Sequence, residues 1–274
     1  MKSTGAGAAR AGDRAGAYAA ASDKAQQPSS VEPGPSSREP GRTTVDMNLP
    51  GGCIALHSPG GRELLAIALA EGHARPHAAM AAVWARQANR KFAGAQTAAL
   101  MASVVTQRTV TEEEAAAAGC RAGVLNRAVI NVDGITLEQH AQVLRCLGVD
   151  AQVVYAASQA GAGAAGMITA LRTALRERGS AVSICYHMGL AGQVGHLAGH
   201  ISPVTACAGD AVLVMDVWPD TEPVWISAYA LWRAVLSVDD LTGRSRGWCI
   251  ARRREPDTFW YEDFHERSGY PGLT

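Results

Sequence analysis

The sequence has no excess charge of either sign. Lys and Arg number 25, and so do Asp and Glu. That balance offers no basic stripe for a nucleic acid. Like charges cluster only in the short runs Arg252-Arg253-Arg254 and Glu112-Glu113-Glu114. No two of the six cysteines (Cys53, Cys120, Cys146, Cys185, Cys207, Cys249) are spaced as CxxC, which argues against a zinc knuckle or a thioredoxin motif. Most sit among apolar neighbours, as in Val182-Ser183-Ile184-Cys185-Tyr186, and read as reduced, buried small hydrophobes. A disulfide framework belongs to small secreted domains. Runs long enough to span a membrane are lacking. The apolar core of a signal peptide is lacking too, because Ser22-Asp23-Lys24 interrupts the only candidate near the N-terminus. The expectation is a cytoplasmic protein with no membrane and no nucleic-acid partner.

Large apolar residues are almost absent from residues 1–46, which are rich in Ala, Gly, Ser and Pro and contain Pro33-Gly34-Pro35-Ser36-Ser37. Such a segment buries too little surface to offset its ordering entropy, so it is expected to be a disordered low-complexity tail. Residues 47–274 are expected to form one domain, long enough for a proper core. The chain is 47% hydrophobic and 18% charged, which fits a globular protein. No internal repeat is apparent.

Apolar spacing predicts helices over 61–71, from Ala93 through Val104, over 112–122 and over 167–178. Thr136-Leu137-Glu138-Gln139 is a capping box, opening a helix with Leu137, Val143, Leu144 and Leu147 apolar and Gly148 as its stop. Val149 to Ala156 reads as a strand. The pattern then changes to short β-branched runs, 181–187, 201–207 and 211–217, the last two joined by the turn Ala208-Gly209-Asp210. A Ser227-capped helix and a final strand over 248–251 follow. Helices first and an antiparallel sheet second is an α+β order.

Two side chains stand out chemically. His200, in Gly199-His200-Ile201-Ser202-Pro203, enters an apolar strand. Asp216, in Val214-Met215-Asp216-Val217, is a lone carboxylate inside another, costly there unless paired. A hairpin would set them side by side, with Asp216 holding the ring and the other ring nitrogen serving as a base. Spacing alone leaves a turn-capping aspartate and a satisfied core histidine as the blander alternative. His196 and His200 are four apart but lie beside glycines, with no Glu in the zincin pattern, so no metal site is expected.

A further frame runs Gln87, five residues ending in Phe92, then Ala93-Gly94. It is similar to that of the phytochelatin synthases, which carry Gln, five residues ending in an aromatic, then Cys-Gly at a helix start. Several other stretches resemble the same family: Ser58-Pro59-Gly60-Gly61 with Leu64 and Ala68-Leu69, Gly134 to Gln139, Gly192-Gln193 with Gly199-His200 and Ser202-Pro203, Leu213 to Val217, Val224-Trp225-Ile226 with Leu231-Trp232, and Thr242 to Gly247. The motifs keep their order from about Ile54 to Arg253.

The resemblance implies a papain-like cysteine-protease fold, with N-terminal helices packed on a C-terminal antiparallel sheet. It also implies a glutathione γ-glutamylcysteinyltransferase. In that chemistry a thiolate at a helix N-terminus attacks the glycyl amide of glutathione, glycine leaves, and a second glutathione amine takes the acyl group from the thioester. His200 is then the general base and acid, Asp216 its orienting partner, and Gln87 with the backbone N–H of position 93 the oxyanion hole. Gly94, Gly199 and Tyr186 are the expected substrate-binding positions. No resident cofactor is implied. A heavy-metal ion enters only as a partner of substrate thiolates, and the partner is a small or peptide thiol such as glutathione.

Three features depart from the family pattern. Ala93 stands where the nucleophilic cysteine belongs, and no other cysteine is in a matching frame. It is an introduced Cys→Ala change, a natural loss that leaves a substrate-binding pseudoenzyme, or a loss covered by a distant cysteine, which the sequence does not support. Tyr186 is followed by His187-Met188-Gly189 where the family has an Arg, and Trp218-Pro219-Asp220 replaces the family's Arg and aromatic. Loss of guanidinium groups weakens the case for glutathione itself and keeps open an amide-forming acyltransferase of secondary metabolism with another donor.

Overall fold

The computed structural model describes residues 52–193 and 199–254. These lie within the compact unit Thr44–Thr274. The expected tail over 1–46 and His196 fall outside the described residues.

Among the described residues seven strands, β1 (Cys53–Ala55), β2 (Val149–Tyr155), β3 (Ser180–His187), β4 (Gly199–Ala208), β5 (Ala211–Val214), β6 (Val224–Ser227) and β7 (Gly247–Arg253), form one sheet. Its order is β1-β6-β5-β4-β3-β7-β2, and every pairing is antiparallel. Among the described residues eight α-helices pack around it: α1 (Pro59–Ala70), α2 (His77–Val83), α3 (Ala93–Thr106), α4 (Glu112–Arg121), α5 (Arg127–Asp133), α6 (Leu137–Cys146), α7 (Gly163–Arg176) and α8 (Ala228–Leu236).

The two faces of the sheet follow strand alternation. On β3, Ala181 and Cys185 join the core built with α1, α3, α4 and α6. Val182, Ile184 and Tyr186 join the core built with α7 and α8. The fold is therefore the expected α+β one, with the N-terminal helices on one face. The later helices α7 and α8 cover the other face, which is why nearly all of β3 and β4 is buried.

Local chemistry explains most boundaries. Ser58 caps α1 by accepting from Gly61 N–H, with Pro59 in the first turn. The predicted capping box Thr136–Gln139 opens α6, and a second one, Thr111–Glu114, opens α4. The acidic run 112–114 thus sits in a helix first turn, where the dipole favours it. In the basic run, Arg252 pairs with Glu177 and Arg254 with Asp150. One expectation is corrected. The strand expected over 211–217 ends at Val214, so Asp216 is not within a strand. Its carboxylate accepts Trp218 N–H at 2.9 Å, and such a local side-chain bond turns the backbone out of the ladder. Among the described residues no helix is long and apolar enough to cross a membrane.

Candidate active site

Helix α3 is central to the site. It packs across β3 and β4, and Ala93 is its first residue. Phe92 at the N-cap contributes no side-chain hydrogen bond, so the cap residue leaves the N–H groups of the first turn unquenched. Such an end attracts negative charge. Gly94 has to be glycine, because a Cβ there would overlap Ile135 and press on Ile201.

Opposite α3, His200 opens β4 beside Tyr186 of β3. Its Nε2 donates to Asp216 Oδ1 at 2.9 Å, with both side chains buried. That bond fixes the tautomer, so proton work falls to Nδ1. Asp216 also accepts Gln193 Nε2–H at 2.6 Å and Trp218 N–H at 2.9 Å. Burial raises the Asp216 carboxyl, but the His200 hydrogen bond and charge and the Trp218 N–H outweigh it. The carboxyl therefore sits below its ordinary range and stays ionised. The Trp218 ring stands edge-on to His200 with centroids 6.0 Å apart. Arg90 lies 5.4 Å above that ring, tying the segment before α3 to the one after Asp216.

A cleft of about 240 Å³ runs between these elements. Ala93, Gly94, Ile201 and His200 line it, with Arg90, Asp133, Asp239 and Arg246 among its charged walls. The structure therefore brings Ala93 and the His200–Asp216 pair to one place. Gly199 lines the cleft, and its lack of a side chain has a cause. A Cβ there would lie 2.8 Å from Arg246 Nη2 and 2.9 Å from its Nε.

Two expected residues are placed elsewhere. Tyr186 is buried behind the dyad, its ring edge-on to His200 at 6.0 Å. It does not line the cleft, and burial keeps its phenol protonated. Gln87 is buried, donates its Nε2–H to Asn89 O at 2.8 Å, and likewise is absent from the lining. Its amide donor is directed to the backbone, where an oxyanion donor would face the cleft.

Four residues with places in or around the site were given no role by sequence reasoning. Gln193 and Arg246 sat inside recognised motifs, and Trp218 in a stretch that departs from them. Cys185 is a native thiol that lines the same cleft as Ala93. Burial pushes that thiol up to about 12, which leaves it protonated and a poor stand-in nucleophile. The six cysteines are all free, and Cys146 is exposed rather than buried. Among the described residues no group of three or more His, Cys, Asp or Glu side chains could hold a metal ion.

A helix N-terminus facing a buried His–Asp pair across an antiparallel sheet is the arrangement of a papain-like thiol enzyme. A family model described as phytochelatin synthase matches residues 44–248, and the chain belongs to that family. No curated protein matches it in sequence. Among solved structures, a double glycine motif protease from an AMS/PCAT transporter, crystallised in complex with the leader peptide, is a remote likeness at 13% identity and a TM-score of 0.38. The match covers 62% of this chain and 89% of that one.

Proposed function

We propose that the cleft binds a glutathione-type thiol peptide in a γ-glutamylcysteinyltransferase site that Ala93 has silenced. Arg246 carries this reading. Only 4% of it is exposed. Its Nη1 donates to Ser237 Oγ at 2.8 Å and to Val238 O, yet its buried Nε has no partner among the described residues. Among the described residues no carboxylate pairs with it. A desolvated guanidinium is costly without an anion, and this one lines the cleft beside His200. A substrate carboxylate is its natural partner.

With a thiolate at position 93, the sulfur–carbon bond to the cysteinyl carbonyl would form and the amide bond to glycine would break. His200 Nδ1 would deliver the proton to the departing amine, and a second amine would then take the acyl group. Ala93 has no electron pair for the first step. The chain keeps the binding half of the activity and the base, with no resident cofactor, and a heavy-metal ion enters only on substrate thiolates. A glutathione-type substrate is compatible with the cytoplasm expected from the sequence.

The reading is tested by titrating glutathione into the native chain in a calorimeter. Saturable binding is expected. Arg246→Met should weaken it roughly 10- to 100-fold, as for loss of a hydrogen bond to a charged group. Equal binding by the two chains, or none by the native one, would overturn it. One observation favours a different donor. Val132 and Leu241, 64% and 51% exposed, both line the cleft, and they would suit an acyl group with an apolar body. A carboxylic acid of that kind that outcompetes glutathione would move the assignment to amide formation.

A further inference from the structure

His140 is a buried titratable group with no part in the chemistry above. It lies on α6 in helical spacing with Leu137, Ala141 and Leu144, all buried. Its own exposure is 0%. A polar ring in an apolar layer is costly unless its nitrogens are satisfied. Both are, with Nδ1 2.9 Å from Gly94 O and Nε2 2.9 Å from Ser183 Oγ. A carbonyl can only accept, so Nδ1 carries the proton and Nε2 accepts from the Ser183 hydroxyl.

The two partners matter more than the ring. Gly94 follows Ala93 in the first turn of α3, and Ser183 belongs to β3, the strand paired with β4. A second buried link joins the same helix to the sheet. Thr97 Oγ1 donates to Ile201 O at 2.9 Å, one residue beyond His200. Apolar contact between helix and sheet is non-directional and tolerates sliding. Hydrogen bonds have a length and an angle, and two of them at the same helix end fix its height over the strands.

We propose that His140, held as the Nδ1–H tautomer between the Gly94 carbonyl and the Ser183 hydroxyl, is a positioning residue that sets where position 93 sits relative to His200. This rests on the thiol-acyltransferase reading of the cleft. Burial keeps the imidazole neutral down to about 4, so the link holds across the working pH range. The family motif at Gly134 to Gln139 stops one residue short of it, and no other residue links the carbonyl of position 94 to β3 among the described hydrogen bonds.

The test uses the Ala93→Cys chain and its iodoacetamide labelling rate against pH. Labelling below neutral pH in that parent checks the acyltransferase reading by itself. His140→Leu in that background should cut the rate at pH 6 roughly 10- to 100-fold, the usual cost of a misplacement near 1 Å. It should also move the labelling midpoint toward that of an ordinary thiol. His140→Gln, whose side-chain N–H can reach the Gly94 carbonyl, should recover most of the loss. If both variants lower the melting temperature and leave the pH profile unmoved, His140 is only structural and the proposal falls. A second arm needs no folded variant and no thiol at position 93. In the native chain, nitrogen NMR should find His140 neutral with its proton on Nδ1. An Nε2–H ring, or one titrating near 6.5, would overturn the proposal even if the Leu variant fails to fold or the parent fails to label.

Discussion

Ala93→Cys should produce a thiol that iodoacetamide labels below neutral pH, ahead of every native cysteine. Two features of the site favour the thiolate. The first turn of α3 has no side-chain cap to compete for its N–H groups. His200, pinned by Asp216 through Nε2, lines the same cleft and can carry a positive charge next to a thiolate. Surroundings of this kind bring a cysteine to roughly 3.5–7.5. The native thiols offer a clear background. Burial raises Cys185, Cys207 and Cys249 to about 12 and, with the charge of Asp216, Cys53 to about 11. Cys146 is exposed and serves as the internal reference. His200→Ala in the same background should shift labelling to higher pH. A labelling curve no different from that of Cys146 would mean that the cleft lacks the assigned electrostatics.

Asp216→Ala should cost about 3–5 kcal/mol of stability, the usual result of removing one partner of a buried charge pair. The loss falls on four donors at once: His200 Nε2, Gln193 Nε2, Trp218 N–H and, more weakly, Ser202 Oγ. Asp216→Asn should cost less, about 1–3 kcal/mol. One amide oxygen can still accept from His200 and Trp218, while its NH2 would face the Gln193 donor. The sign with pH follows from the lowered carboxyl. Its contribution is fully present above the unfolded value of ~3.9 and is lost as pH falls through the lower folded value. The gap between parent and Asn variant, read from urea melts, should therefore be constant near neutrality and close in strong acid. A gap that widens on acidification would contradict an ionised, paired Asp216.

Much of this site was legible because each side chain sat in a strong local context. The capping box at Thr136, the glycine after α6 and the short apolar, β-branched runs of β3 and β4 set their elements by local rules. His200 and Asp216 were found as polar residues in apolar company. Other features depended on distance in space. β1 has only three residues, and its partner β6 lies far along the chain, so periodicity had nothing to count. Asp216 left its strand because its carboxylate bonds to its own Trp218 N–H, a choice the apolar run 211–217 conceals. Arg246 gained meaning only once Gly199 was seen against its guanidinium. His140 was within reach, as a histidine three residues after Leu137 on an otherwise apolar helix stripe.

The central claim is that this cleft holds a thiol-peptide acyl donor and lacks only the sulfur. The most direct measurement is to incubate the Ala93→Cys chain with glutathione, quantify free glycine and weigh the intact protein by mass spectrometry. Glycine release and a covalent γ-glutamylcysteinyl adduct at position 93 are expected, with neither in the native chain nor in the Ala93→Cys, His200→Ala double variant. A folded Ala93→Cys chain that labels readily in acid, yet releases no glycine and gains no mass from glutathione, would contradict it.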